Sequence, residues 1–218
     1  VKFGDRRLIE TVRSIRWADL SHVTAVLTPL LEELANSPEW IADAMDNLLT
    51  DDHLRSLTER LAELDKLVLL DDPESGARVR VHVFRQGYFD RPHNHRFTFG
   101  TRILSGSYVH TVYGDFDDRP SLDPAELTPK LIKRELAGTG YVIQHTLVHS
   151  VAADADTITL TVRGPAQKDQ MLIIDPKTGR SWPVFGMKDE SEEEIMARRL
   201  DTPRLESIIE LMGKQGII

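Results

Sequence analysis

Gly87-Tyr88-Phe89-Asp90-Arg91-Pro92-His93-Asn94-His95 is the stretch that decides how this 218-residue chain is read. Two histidines one residue apart on an extended strand project from the same side, because side chains alternate faces with a period of two. Both imidazoles can then reach one metal ion. Gly106 follows, and beyond Gly140 stand His145 and His149, of which His149 is the preferred third ligand and His145 the alternative, as a ligand or a donor behind it. Three neutral imidazoles bind iron, zinc or nickel and leave coordination positions open for water, dioxygen or a substrate. Single histidines have a blander reading as satisfied or exposed residues, and His22, His53, His82 and His110 are given that reading.

Composition narrows the chemistry. The absence of cysteine excludes zinc–thiolate sites, iron–sulfur clusters and a cysteine nucleophile, so a metal must be held by histidine, carboxylate or water. A net charge of −8 argues against a nucleic-acid surface, which needs clustered lysine and arginine. No apolar run approaches the roughly 20 residues that span a bilayer, and Val1-Lys2-Phe3-Gly4-Asp5-Arg6-Arg7 lacks a signal-peptide core. The expectation is a soluble cytoplasmic protein. No Gly-x-Ser-x-Gly elbow, phosphate loop or dinucleotide fingerprint is present.

Three segments follow from periodicity. Over residues 1–65, Leu8, Val12 and Ile15, then Val23, Leu27, Leu30 and Leu31, then Ile41, Met45 and Leu48, then Leu54, Leu57 and Leu61 recur at helical spacing. Ser21, Ser37-Pro38-Glu39 and Thr50-Asp51-Asp52 are the start signals, and the segment reads as a helical layer packed on a sheet. Over 66–188 the period becomes two, as in Ala77 to Phe84, Thr101 to Tyr113, Tyr141 to His145 and Thr157 to Arg163, which predicts a jelly-roll barrel. Gly114 to Pro124 is an acidic, proline-broken loop joining its halves, and Asp175-Pro-Lys-Thr-Gly179 is a turn. Over 189–218 a helical tail is expected, broken at Pro203, with the acidic run Asp189 to Glu194 at a helix start where negative charge suits the dipole.

The spacing from Gly87 through His93-Asn94-His95 to Gly106 resembles the first cupin motif, and Gly140 to His149 resembles the second. Where that motif places a glutamate four residues after its second histidine, this chain has Phe99. It therefore resembles the three-histidine subgroup typified by cysteine dioxygenase and related thiol dioxygenases, a likeness covering roughly residues 20 to 187. The helices before Leu64, Arg163-Gly164-Pro165 and the Asp175 to Gly179 turn fit that comparison. Departures are plain: there is no cysteine for a cysteine–tyrosine crosslink, Arg163 stands where the tyrosine would, and Thr159, Thr161 and Arg163 replace the serine–histidine–tyrosine relay.

The resemblance implies a mainly β, double-stranded β-helix fold with an N-terminal helical layer and a C-terminal helical tail, and a mononuclear iron(II) centre held by His93, His95 and His149. It implies oxidation of a small carboxylate-bearing substrate, such as a thiol or amino acid, with dioxygen. From strand parity, Phe97, Phe99, Thr101 and Ile103 should share the interior with His95. Parity also joins Thr161 to Arg163, which is the first choice for a carboxylate clamp, its alternative being a structural ion pair with an acidic residue. Arg85 and Tyr88 are weaker candidates near the mouth; Tyr108, His110 and Tyr113 can face either way. Two other readings remain: a redox-neutral zinc or nickel lyase, isomerase or hydrolase, and a non-catalytic metabolite-binding module.

Overall fold

The computed structural model describes residues 4–61, 63–116, 121–186 and 191–218. Val1 to Phe3, residues 117–120 of the acidic loop, and Asp189 and Glu190 of the acidic run lie outside them. Four helices come first: α1 (Asp5–Ser14), α2 (Leu20–Ala35), α3 (Pro38–Thr50) and α4 (Asp52–Leu57). The side chain of Asp19, rather than the expected Ser21, caps α2 by accepting from the backbone of His22. Pro38 opens α3, where a missing N–H costs nothing, and Asp51 caps α4 by accepting from Leu54. Leu61 lies past the last of these helices.

The barrel comprises β1 (Glu59–Arg60), β2 (Leu64–Asp72), β3 (Ala77–Phe84), β4 (Phe99–Ser105), β5 (Ser107–Asp115), β6 (Leu131–Leu136), β7 (Gly140–Ile143), β8 (Leu147–Ala153), β9 (Thr157–Arg163), β10 (Gln170–Asp175) and β11 (Arg180–Phe185). All pairings are antiparallel, in sheets ordered β1-β2-β3-β9-β4-β7, β6-β5-β8 and β10-β11. Pairing β3 with β9 across some eighty residues of chain, and β5 with β8, gives the jelly roll. The single strand expected from Thr101 to Tyr113 is two, hinged at Gly106. Its φ of +80° is left-handed, and a Cβ there would stand 2.8 Å from Thr157 Cα.

Parity divides the six-stranded sheet into two faces. Val79, Val81 and Val83 of β3 and Ile158, Leu160 and Val162 of β9 point outward into one core with Leu8, Val12, Leu27, Leu31, Ile41, Met45 and Leu48 of the helices. Each such valine, fully buried, contributes on the order of 1.5–3 kcal/mol. The tail forms α5 (Glu192–Ala197), closed at its start by a Ser191–Glu194 capping box, and α6 (Thr202–Lys214). Pro203 sits in the first turn of α6, so the helical run ends before it rather than at it. Leu205, Ile208 and Met212 of α6 join the same core, so the helical segments at both ends share it with the sheet.

Candidate metal centre

Between β3 and β4 the chain leaves regular strand, and the stretch holding His93 and His95 is clamped by its neighbours instead. His93 exchanges backbone hydrogen bonds with His149 at 2.9 Å in both directions, His95 N donates to the carbonyl of His145 at 3.1 Å, and Asn94 N donates to that of Leu172 at 3.2 Å. Asn94 faces away from the histidines: its side chain is buried and accepts from Leu172 N at 2.8 Å. The segment is thus an extended bridge between β8 and β10, and the period of two still puts both imidazoles on one side.

One ring nitrogen from each of His93, His95 and His149 falls within 4.8 Å of the others. Nε2 of His95 and Nε2 of His149 are 2.7 Å apart. Two imidazoles bound side by side to one ion, each about 2.1 Å from it, stand about 3 Å apart, so this donor set fits a divalent transition metal. The outer nitrogens are committed elsewhere, as ligand orientation requires. His93 Nδ1 donates to the carbonyl of Arg91 at 2.8 Å, leaving Nε2 with its lone pair. His149 Nδ1 meets His110 Nε2 at 2.9 Å, and His110 Nδ1 in turn faces Glu135 Oε1 at 3.9 Å. With the Glu135 carboxylate at one end, protons on His110 Nδ1 and His149 Nδ1 leave His149 Nε2 free to ligate. Burial, reinforced by the neighbouring imidazoles, holds His95 and His149 well below the usual histidine range, so both are neutral near pH 7.

The cluster opens on a partly open cavity of about 120 Å³, sized for a small metabolite. Phe97 and Phe99 flank His95 at ring separations of 5.9 and 4.7 Å, so an apolar ring rather than a carboxylate stands at position 99 beside the cluster. Thr101 and Thr161 line the wall and share a hydroxyl hydrogen bond of 3.0 Å. Ile103 packs instead with Phe84 and Tyr108. Tyr88 reaches the cavity and donates to Asp90 Oδ2 at 3.0 Å, and burial beside that carboxylate raises its phenol. Arg163 also lines the cavity, with its guanidinium 4.9 Å from the Phe97 ring centre. Its Nη1 donates to the carbonyls of Gly76 and Gly164 at 3.0 and 2.8 Å, and its Nε has no partner. The expected alternative, an ion pair with an acidic residue, is not found for it among the described residues.

Two candidates sit elsewhere. His145 lies in the turn after β7, so strand parity does not carry it to His149; its ring is 3.4 Å from the Thr98 hydroxyl and it joins neither the cluster nor the cavity lining. Arg85 donates to the carbonyl of Leu61 and is likewise off the cavity. In the other direction, His82 and His110 are not bland. His82 lines the cavity with an unpartnered Nε2, and His110 supports His149. Lys66, Arg80 and Glu135 also escaped sequence reasoning. The signal for Arg80 and His82 was present in Arg78-Val-Arg-Val-His-Val83, whose valine face had to be core and whose basic face therefore had to meet solvent or a cavity.

No family model matches the chain, and no curated protein does. Among solved structures, an RmlC-like cupin from Shewanella frigidimarina is 17% identical over 51% of this chain and 86% of its own, with a TM-score of 0.39. KdgF from a Halomonas species is 14% identical over 49% and 84%, at 0.38. Salicylate 1,2-dioxygenase from Pseudoaminobacter salicylatoxidans is 12% identical over 48% and 27%, at 0.36. Likeness this slight carries no argument about activity. What the chain shows by its own sheet order and side chains is a mainly antiparallel jelly roll, of the kind the cupin resemblance implies, enclosing a three-histidine cluster that fits a metal.

Proposed function

We propose that this chain is a mononuclear non-haem iron(II) dioxygenase of the cysteine dioxygenase-like cupin type, oxidising a small carboxylate-bearing molecule with dioxygen. The observation that carries the reading is the convergence of His93, His95 and His149 at the wall of a cavity that also holds the guanidinium of Arg163. Iron(II) held by three neutral imidazoles keeps its full charge and open positions for an anionic substrate and dioxygen, and supplies the redox chemistry.

The protein's own groups supply binding and shelter. Arg163 offers its fork to the substrate carboxylate. Phe97 and Phe99 keep water from the His95 side and leave an apolar berth suited to a neutral diatomic gas. Tyr88, hydrogen-bonded to Asp90, holds a hydroxyl at the cavity edge where it can donate to substrate. Substrate and dioxygen are the partners proposed, with no role for nucleic acid or membrane; among the described residues no helix is long and apolar enough to cross a membrane. Among the described residues no carboxylate joins the three-histidine donor cluster, which supports a reading with no 2-oxoglutarate requirement.

The test is metal analysis of protein purified under nitrogen, then oxygen uptake after iron(II) loading with cysteine, 3-mercaptopropionate and related amino and carboxylic acids. Substrate-triggered uptake that disappears in His93→Ala is the expected result. Tight zinc or nickel with turnover that survives without air moves the assignment to a redox-neutral lyase, isomerase or hydrolase; ligand binding without turnover moves it to a metabolite-binding module.

A further inference from the structure

The cavity wall opposite the histidines is basic. On the inner face of the six-stranded sheet, Lys66 of β2 stands across from His82 of β3, and Arg80 of β3 stands across from Thr161 of β9, two residues from Arg163. All four basic side chains line the cavity. Arg80 is 7% exposed, and its Nε, like those of Arg163 and of the ring of His82, meets no hydrogen-bond partner. Among the described residues, Lys66 and Arg80 make neither a hydrogen bond nor an ion pair. The nearest carboxylates are spoken for: Asp90 binds Tyr88 and the backbone of Val151, and Glu59, across from Lys66 on β1, lies 3.9 Å from Arg198. Burying such charges without partners is costly, and a cluster of them repels itself. Desolvation, with repulsion from Arg80 and Arg78, holds Arg163 down to about 8, and desolvation, partly offset by Glu59, holds Arg80 down to about 10.

We infer that the cavity is built for a small dicarboxylate. One carboxylate lies against Arg163 beside Phe97, and the other against Lys66, Arg80 and the Nε2 of His82. Along a strand the Arg163 position is about 7 Å from the Arg80 level, a span that a short-chain diacid covers and a single carboxylate does not. A dianion neutralises the cluster that one anionic group leaves uncompensated. This inference deepens the proposed activity by naming its substrate class and rests on the same cavity.

Calorimetric titration and thermal shift of the full chain, stripped of metal and separately loaded with iron(II) under nitrogen, test it with succinate, glutarate and adipate against butyrate, valerate and hexanoate. At least one diacid is expected to bind ~10-fold or more tightly than its monoacid of equal length, with that preference lost in Lys66→Gln and Arg80→Gln. Without ligand, both variants are expected to melt at or above the wild-type temperature, since each removes an uncompensated buried charge; a structural role predicts a fall. Equal affinity for diacids and monoacids, an unchanged preference in the variants, or phosphate and sulfate competing as tightly as the diacids overturns the inference. Because the metal-free arm does not involve the three histidines, diacid binding there without oxygen uptake in the loaded protein sinks the dioxygenase reading alone, and uptake without a diacid preference sinks this one alone.

Discussion

The two faces of β3 meet opposite surroundings. Val79, Val81 and Val83 sit at 0% exposure against α2, α3 and the rest of the helical core, while Arg80 and His82, alternating with them, face a cavity and find no partner. One strand therefore carries the fold on its odd-numbered face and the site on its even-numbered face. The outer face reaches its energy minimum as the chain folds; the inner face holds charges that folding alone leaves uncompensated. That division predicts opposite responses to changes of similar size at adjacent positions.

The largest expected effect breaks the outer face. Val81→Asp puts an unpaired carboxylate beside Leu67 in the shared apolar core and should cost about 4 kcal/mol or more, or abolish folding, as read by urea unfolding. The inner-face substitutions at Lys66 and Arg80, one or more residues away, are expected to leave stability equal or higher. A similar loss on both faces would erase the distinction.

A smaller effect sharpens it on the opposing sheet. His110 is 4% exposed and hydrogen-bonded to His149, so it orients a ligand without ligating. His110→Ala should weaken metal affinity about 10- to 100-fold while leaving the unfolding free energy of the metal-free protein within about 1 kcal/mol of wild type, read by urea titration. His110→Gln, whose side-chain oxygen can accept from His149 Nδ1, should recover part of the affinity. The measurement is equilibrium dialysis with zinc or iron(II). A drop in metal-free stability as large as the drop in affinity would make His110 a packing residue.

What the sequence made legible was whatever strand alternation and local spacing encode. His93, His95 and His149 fall together because each lies on extended backbone, and Phe99 and Thr161 face the cavity for the same reason, as Phe97 does although it sits in a bend. Alternation fails where the backbone turns: His145 shares a parity with His149 on paper, but the turn over 144–146 intervenes. It also cannot say which strands enclose a cavity together. Lys66, Arg80 and His82 became a site only once β2, β3 and β9 were adjacent, and Glu135 came within reach of His110 only through the pairing of β5 with β6. A lone histidine or arginine in a strand carries no mark of what lies across the barrel.

The smallest effect concerns how the outer face is pinned at its edge. Arg13 of α1 grips Asp72 at the end of β2 with two hydrogen bonds of 2.9 and 2.6 Å, and Ser75 adds a hydroxyl at 2.6 Å to the same carboxylate, which is 3% exposed. The Arg13 hydrogen bonds, outweighing desolvation, hold Asp72 far below the usual carboxylate range. A depressed folded-state value means that this stabilisation is present in full above the unfolded value of about 4 and is lost as pH falls below it. Asp72→Asn should therefore be less stable than wild type at pH 7, with the gap narrowing steadily on titration from about pH 4 downward. The guanidinium is partly exposed, so added salt should shrink the gap as well. A gap independent of pH would mean that Asp72 holds α1 by shape and neutral hydrogen bonding. The outer face would then depend on packing alone, with charge confined to the cavity.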